Sequence, residues 1–404
     1  MSSSERAVTG LCLAAVLGTV GALPAHAEPD PQPPATERIS TTYEGAQLAE
    51  PSYGPAMGSG RVTGFTAEGP AGRVDTDGLP DVYLHDGYGG GNSEVSYGAD
   101  GPSRDAGPCA SGRMFGFVSE STTLGSPPRP DHRPLAYVRN RSVGKITGLH
   151  GYQGVPFASM TQPRVDPGCQ WIAYTATLTP TEADPDPRPR VYRFRFDGGT
   201  TDLVSQARGG AAGQPSISEN GRYVAYAQDG AVYVRDLDTG ALEKADVARG
   251  GGAANGASSA PSLSADGRRV AFESRASDLV PGDRNRAANV FVRDLDTGTT
   301  TLIEGAHPQD ATTQPSLAKD GTHLAYVAAR ARGKGPAPAV HLRELATGKT
   351  RLISVDLDGG RNDLAAGHPS VNEDGTVVAF DSASPDLVPG DTNKVSDVFL
   401  RTVR

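Results

Sequence analysis

The chain has 404 residues, of which 51 are Gly and 32 are Pro, and it carries a formal net charge of −9. Gly and Pro at this density disfavour long helices, because both residues destabilise a helix interior. The acidic balance, without a run of Lys or Arg, argues against binding to nucleic acid or to an anionic membrane surface.

The N-terminal segment between Val8 and Leu23 is strongly apolar and is followed by the small-residue string A-H-A. This arrangement is typical of a signal peptide, and we predict residues 1–27 to be removed by cleavage after Ala27. The mature protein is then expected to be secreted or extracytoplasmic. No later segment is apolar over the roughly 20 residues that a membrane span requires. Residues 28–35 are rich in Pro and predict a disordered leader.

Two cysteines remain after that cleavage, Cys109 and Cys169. An exported protein meets oxidising conditions, so the pair predicts one disulfide. A disulfide needs Cα atoms within about 7 Å of each other, which the sequence alone does not establish. Two buried thiols are the alternative.

Seven copies of one sequence unit occupy the rest of the chain, each opening with a Pro, passing a Gly-containing turn and entering a short apolar strand. Successive copies start between 46 and 55 residues apart. That period suits one four-stranded blade of a β-propeller. The sequence therefore predicts an all-β, seven-bladed propeller of four-stranded blades over residues 36–404. The opening residues are Pro55, Pro108, Pro163, Pro215, Pro261, Pro315 and Pro369.

The fourth copy shows the four strands of a blade most clearly. The turns between them contain Asn, Asp and Gly, which tolerate the positive φ of hairpin loops. We predict strands at Pro215 to Ser218, Tyr223 to Ala227, Ala231 to Asp236 and Leu242 to Ala245.

The last copy stops after its third strand, whereas Thr36 to Ser40, near the start, resembles the fourth-strand segment Thr350 to Ser354. We predict that this N-terminal strand completes the last blade. The ring is then closed by hydrogen bonds and leaves no free sheet edge between the first and last blades.

The string P-S-x-S-x-D-G-R-x-V-A-F, followed by D-V-F-V-R-D-L-x-T-G, resembles the TolB-type repeat of bacterial β-propellers. The resemblance covers nearly all of the mature chain, and it does not include the N-terminal domain of TolB. It implies a seven-bladed propeller that binds a protein or a small ligand, or that supports an attached enzyme.

Three copies carry carboxylate and amide oxygens at matching positions of the hairpin between the second and third strands. Oxygen ligands at alternating loop positions are those that Ca²⁺ prefers, so calcium is a candidate cofactor. The alternative is that these residues cap the turn by bonding nearby backbone N–H groups. The candidate ligands are Asp75, Asp77 and Asp81 in the first copy, Asp283, Asn285 and Asn289 in the fifth, and Asp391, Asn393 and Asp397 in the seventh.

The residue before each opening Pro is expected near the entrance of the central channel, because the innermost strands of a propeller line that channel. These residues are Gly54, Gly107, Gln162, Gln214, Ala260, Gln314 and His368. Four of them, namely Gln162, Gln214, Gln314 and His368, can hydrogen-bond a polar ligand and are our candidate ligand-binding residues. The alternative is that they satisfy backbone groups between blades.

The sequence favours a binding protein over an enzyme. It contains no G-x-S-x-G elbow and no H-E-x-x-H pair. The resemblance to TolB-like propellers also extends to oligogalacturonate lyases, which hold a metal with His and Gln over the axis, but only His368 falls at a predicted axial opening. We predict a monomeric, secreted binding or scaffolding module for a protein or a small polar or carbohydrate ligand, with a metal-dependent polysaccharide lyase as the alternative. No cofactor is required for the first function.

Overall fold

The computed structural model describes residues 35–403 apart from 73–76, 88, 90, 126–130 and 332–334. The predicted signal peptide, all but the last residue of the predicted leader, and Asp75 lie outside these residues. The described residues form 29 strands and no helix. They therefore contain no helix long and apolar enough to cross a membrane.

The strands are arranged in seven sheets, each of which is one blade of a propeller. Blade one contains β2 (Ser52–Met57), β3 (Thr63–Ala67), β4 (Asp81–His85) and β5 (Asn92–Glu94). Blade two contains β6 (Ser103–Pro108), β7 (Met114–Ser119), β8 (Leu135–Asn140) and β9 (Lys145–Gly148). Blade three contains β10 (Gly151–Tyr152), β11 (Val155–Val165), β12 (Trp171–Leu178), β13 (Arg190–Arg195) and β14 (Thr201–Leu203). The third blade thus has a short fifth strand, β10, paired with the inner strand β11.

The remaining four blades each have four strands. Blade four contains β15 (Ala212–Ile217), β16 (Tyr223–Gln228), β17 (Ala231–Asp236) and β18 (Leu242–Lys244), and blade five contains β19 (Ser258–Leu263), β20 (Arg269–Ser274), β21 (Asn289–Asp294) and β22 (Thr299–Ile303). Blade six contains β23 (Asp310–Leu317), β24 (His323–Arg330), β25 (Ala339–Glu344) and β26 (Thr350–Leu352). Blade seven contains β27 (Ala366–Val371), β28 (Val377–Ser382) and β29 (Asp397–Thr402) with β1 (Thr36–Arg38).

The predicted propeller is confirmed, and the four predicted strands of the fourth blade agree with β15 to β18 within three residues at each end. The largest difference is at β15, which begins at Ala212 instead of Pro215. Its register with β16 shifts between Gly213 and Ser216, so the Pro sits in a β-bulge, where the ladder does not require its missing N–H.

The closure of the ring is also as predicted. Strand β1 pairs antiparallel with β29, and Glu37 lies opposite Leu400. Ile39, the residue that follows β1, is 2% exposed and donates its backbone N–H to the carbonyl of Val398. The last blade therefore takes its outer strand from the other end of the chain.

A stacked pair of rings joins the second and third strands of every blade. The ring centroids lie 5.6 to 6.0 Å apart. Such pairs contribute about 0.5–1.5 kcal/mol each beyond the burial of their area. Blade six uses His341 as one member. The pairs are Phe65–Tyr83, Phe117–Tyr137, Tyr174–Tyr192, Tyr226–Tyr233, Phe272–Phe291, Tyr326–His341 and Phe380–Phe399.

Candidate functional site

The inner strands of the seven blades surround an axial channel with a cavity volume of about 880 Å³. We call the end where the inner strands begin the upper end, and the end where they turn into the first hairpins the lower end. Three rings of residues, one from each blade, follow one another along this channel. The residues of these rings supply the atoms that line the channel.

The uppermost ring, which we call the bulge ring, consists of the residue at each inner-strand bulge. All seven have φ between 46° and 64°, a region that non-glycine residues rarely adopt. They are Gly54, Asp105, Gln162, Gln214, Ala260, Gln314 and His368. The four candidate ligand-binding residues thus lie in one ring.

In blade two the residue of this ring is not the predicted Gly107. Asp105 has the positive φ, whereas Gly107 lies two residues further along and pairs with Gly116. The error came from aligning the string G-P of this blade with the opening Pro of the others. The Pro of this string, Pro108, ends strand β6.

Side-chain oxygens of the bulge ring bind the next blade. In each case the oxygen accepts a hydrogen bond from the backbone N–H of the ring residue that follows in the chain. The bonds run from Gln162 N to Asp105 Oδ2 (3.1 Å), from Gln214 N to Gln162 Oε1 (2.9 Å), from Ala260 N to Gln214 Oε1 (2.9 Å) and from His368 N to Gln314 Oε1 (2.7 Å). The side chains of the three glutamines therefore bond backbone groups of the next blade, whereas the side chain of His368 does not.

Neighbouring carboxylates replace the ring side chain in two blades where it has no suitable oxygen. Glu273 accepts from Gln314 N at 2.6 Å in place of Ala260. Asp381 accepts from Gly54 N at 3.0 Å in place of His368. Between blades one and two, where Gly54 has no side chain, the described residues show no such bond.

This bonding fixes the orientation of the glutamine amides. A backbone N–H can only donate, so the atom that it contacts must be the amide oxygen. The amide nitrogens of Gln162, Gln214 and Gln314 are then left as donors at the channel. The three glutamines of the ring therefore present N–H groups to a ligand.

His368 is oriented in a similar way. Its Nδ1 lies 2.9 Å from Asp381 Oδ2, the same oxygen that binds Gly54 N. Nδ1 must carry a proton to donate to a carboxylate, which leaves Nε2 as the acceptor of the neutral ring. The hydrogen bond to Asp381 raises the pKa of His368, and the side chain is 63% exposed.

The second ring, which we call the serine ring, lies two residues further along the inner strands. Four serine hydroxyls accept a backbone N–H from the following blade at 2.9 to 3.1 Å. They are Ser216, Ser262, Ser316 and Ser370. The recurring dipeptide P-S thus has a structural role. In blade three the same position holds Arg164, which lines the channel.

The lowest ring, which we call the turn ring, consists of backbone hydrogen bonds between the first hairpins. One example is Ala265 N to the carbonyl of Lys319, at 2.7 Å. The seam from blade seven to blade one is made by the hydroxyl of Ser59 and the carboxylate of Glu373. Cys109 and Cys169 form a disulfide beside this ring, between blades two and three, with Cα atoms 5.2 Å apart.

Arg164 and Lys319 are site residues that the sequence analysis missed. Both line the channel. Enclosure by the channel walls and the charge of Arg164 lower the pKa of Lys319 to about 8. The available signal was the string Q-P-R in one copy where four others have P-S.

The candidate calcium ligands of blade seven contact protein donors. Arg38 Nη1 lies 3.6 Å from a carboxylate oxygen of both Asp391 and Asp397. Gln47 Nε2 donates to Asp391 at 2.7 Å, and Asn393 Nδ2 donates to Asp397 at 3.1 Å. A guanidinium and two amides thus contact these carboxylate oxygens.

The other two candidate loops have comparable internal bonds. In blade five, Asn289 Nδ2 donates to Asn285 Oδ1 at 2.9 Å and lies 3.4 Å from both carboxylate oxygens of Asp283. In blade one, Asp77 accepts from a backbone N–H at 2.9 Å and Asp81 accepts from a serine hydroxyl at 2.5 Å. Within the described ranges no three His, Cys, Asp or Glu residues form a group that could hold a metal ion. Calcium binding stays an untested prediction.

No protein-family model matches the sequence, and no curated protein matches it. Solved structures do match. An oligogalacturonate lyase in complex with manganese has a TM-score of 0.60 at 13% identity, over 92% of this chain and 96% of that one. The chain folds as a β-propeller. The oligogalacturonate lyase of Vibrio parahaemolyticus gives a TM-score of 0.59 at 13% identity, over 92% and 97% of the two chains.

The propeller likeness extends to proteins of different kinds. The β-propeller domain of Cps50 (Swd1) from Myceliophteria thermophila has a TM-score of 0.52 at 12% identity, over 92% of this chain and all of that one. TolB from Acinetobacter baumannii matches 68% of this chain and 59% of its own at 16% identity, with a TM-score of 0.43, too low to carry an argument. At these identities the likeness establishes the fold and assigns no activity.

Proposed function

We propose that this protein is an extracytoplasmic binding module whose small polar ligand enters the axial channel from the upper end. The observation that carries the proposal is the orientation of the three glutamine amides, whose oxygens bind backbone N–H groups and whose nitrogens are left for a ligand. A cavity of about 880 Å³ is within the range of small-molecule sites.

Two features support an extracytoplasmic location. The first is the predicted signal peptide, residues 1–27. The second is the disulfide between Cys109 and Cys169, because such bonds persist mainly in oxidising compartments.

A plug in the channel tests the proposal without removing a bond between blades. Ala56 lines the channel at the blade-one position of the serine ring, so its side chain makes no serine-type bond to the next blade. Ala56→Phe should fill the lumen, whereas Ala56→Ser is a matched small control. We expect native mass spectrometry of protein secreted by its own host to show a small-molecule adduct on the wild type and on Ala56→Ser but not on Ala56→Phe. An adduct on all three proteins, or on none, contradicts channel binding.

A lyase is the second candidate, and two observations favour it. Nε2 of His368 is positioned to accept a proton at the channel, with Asp381 behind the ring. The fold is also similar to those of two oligogalacturonate lyases. The manganese of the first of these does not fit the bulge ring, because the ring contributes one imidazole and its glutamine oxygens already accept backbone N–H groups. In the part of the chain that is described, no three His, Cys, Asp or Glu residues form a group that could hold a metal ion.

Turnover of oligogalacturonate, with and without added Mn²⁺, separates the two candidates. We expect no unsaturated product from the purified protein under either condition. Release of that product by the wild type, lost in His368→Ala, would replace the binding proposal with the lyase. His368→Ala is preferred to Gln314→Ala, because Gln314 also holds the backbone of the next blade.

A further inference from the structure

Two cations face the interior of the channel from separate blades. Arg164 comes from the inner strand of blade three, at the level of the serine ring. Lys319 comes from blade six, at the turn ring. At the positions of Arg164 and Lys319, most other blades have small residues or residues that form bonds between blades. The propeller repeat therefore does not need a positive charge at either position.

Neither cation forms an ion pair with a described carboxylate. Arg164 Nη1 donates to the carbonyl of Pro163 at 2.9 Å, and its side chain forms no other hydrogen bond with a described residue. Asp105 is near enough to influence the pKa of Arg164, but its Oδ2 accepts the backbone N–H of Gln162. The lowered pKa of Lys319 reflects burial and repulsion by Arg164, which an anion between them would relieve.

The remaining charged groups at the channel define the direction of approach. Arg104, near the upper end, is paired with Glu120 at 2.9 Å. The acidic side chains Glu219, Asp320, Glu373 and Asp374 line the lower end. These carboxylates disfavour the entry of an anion from the lower end. Lys319 lies in the same ring, but the charged group that acts on its ammonium is Arg164. At the upper end the amide nitrogens of the bulge ring are donors, and the carboxylates of Asp105 and Asp381 each accept a backbone N–H.

We propose that Arg164 and Lys319 together bind a small oxyanion inside the channel, below the bulge ring. The shared chemistry is a compact group with several acceptor oxygens, such as sulfate, phosphate or a carboxylate. A guanidinium suits such a group because its N–H donors form a planar fork, and an ammonium adds a point charge. This inference rests on the proposed function, since it identifies the kind of group that the channel ligand carries.

Calorimetric titration with sodium sulfate, sodium phosphate and sodium acetate, at constant ionic strength and pH 7, tests the proposal. Arg164→Gln and Lys319→Gln should each weaken binding of the preferred anion about tenfold or more, as expected for charge-assisted hydrogen bonds. Lys349→Gln, an exposed lysine of the same blade as Lys319, should leave the affinity unchanged. The anion that binds most tightly identifies the class of ligand.

A pH series separates this site from general attraction to positive charge. Sulfate keeps its charge between pH 6.5 and 9.5, about the range in which Lys319 loses its proton. Sulfate affinity of the wild type should therefore fall as the pH rises through about 8, and this fall should be absent in Lys319→Gln. Equal affinities of wild type and Arg164→Gln, or no measurable binding of any of the three anions, overturn the proposal.

The two proposals fail in different ways. If Ala56→Phe loses the native adduct but Arg164→Gln binds every anion normally, the channel binds a ligand without this oxyanion site. If sulfate binding depends on Arg164 and no native small molecule is found, the oxyanion site stands and the wider binding function falls. Thermal unfolding of each variant shows that an affinity loss does not arise from unfolding.

Discussion

Replacing Arg38 with Met should weaken the closure of the ring in a pH-dependent way. Arg38 belongs to the closing strand β1, and its side chain is 13% exposed. Its guanidinium lies 3.6 Å from both Asp391 and Asp397, whose side chains are 3% and 0% exposed. Arg38→Met leaves two buried carboxylates without this cation.

The magnitude follows from burial and from the bonds that remain. Removing one partner of a buried ion pair costs about 3–5 kcal/mol. Gln47 still donates to Asp391, and Ser40 still donates to Asp397 at 2.6 Å. We therefore expect the lower end of that range, about 3 kcal/mol at pH 7.

The sign of the pH dependence is set by Asp397. Burial raises its pKa, and the charge of Arg38 opposes that rise. Without Arg38 the folded pKa increases further above that of the unfolded chain, so the folded variant binds a proton more readily. The stability deficit is then small near pH 4 and grows as the pH rises through the folded pKa.

Urea unfolding of wild type and variant at pH 4, 5.5 and 7 measures this deficit. Glu37→Gln is the matched control, because Glu37 lies in the same strand and its ion pair with Arg61 is at the surface, worth less than about 1 kcal/mol. Adding Asp391→Asn to Arg38→Met should recover part of the loss. A deficit that is the same at pH 4 and pH 7, or a loss of equal size in Glu37→Gln, refutes the reasoning.

Three further predictions concern the same scaffold. Deleting residues 28–42 removes β1 and should lower the melting temperature markedly, whereas deleting 28–34 should leave it unchanged; equal melting temperatures contradict closure by β1. Asp166 is fully buried and burial raises its pKa to about 6, so Asp166→Asn should stabilise the protein by about 1–2 kcal/mol at pH 7.5 and by nothing near pH 4, as measured by urea unfolding. Denatured, unreduced protein should show no free thiol at Cys109 or Cys169, and detection of two would exclude the disulfide.

The blades and the closure could be predicted from the sequence because both depend on local patterns. A turn with Asn-Gly or Asp-Gly between two apolar runs specifies a hairpin, and the spacing of the copies specifies the blade. The missing outer strand of the last copy pointed to β1. The same patterns also predicted blade three, although that blade has an additional strand.

The chemistry of the channel could not be predicted in the same way. Which side chains face the axis depends on the bulge at each inner strand, and the bulge in blade two lies at Asp105 although the Pro lies at 108. The glutamines looked like ligand residues because the sequence does not show that the next blade offers them a backbone N–H. Arg164 and Lys319 are 155 residues apart, and only the closed ring brings them into one channel.

The hydrogen bonds of the bulge and serine rings all run in one direction. In each of these bonds a side-chain oxygen of one blade accepts a hydrogen bond from a backbone N–H of the blade that follows it. When every interface is head-to-tail, the units close into a ring, and the number of units in the ring is set by the rotation between neighbours. A duplicated or deleted unit would carry its own matched oxygen and N–H, so a change in the number of blades needs no new kind of bond between blades.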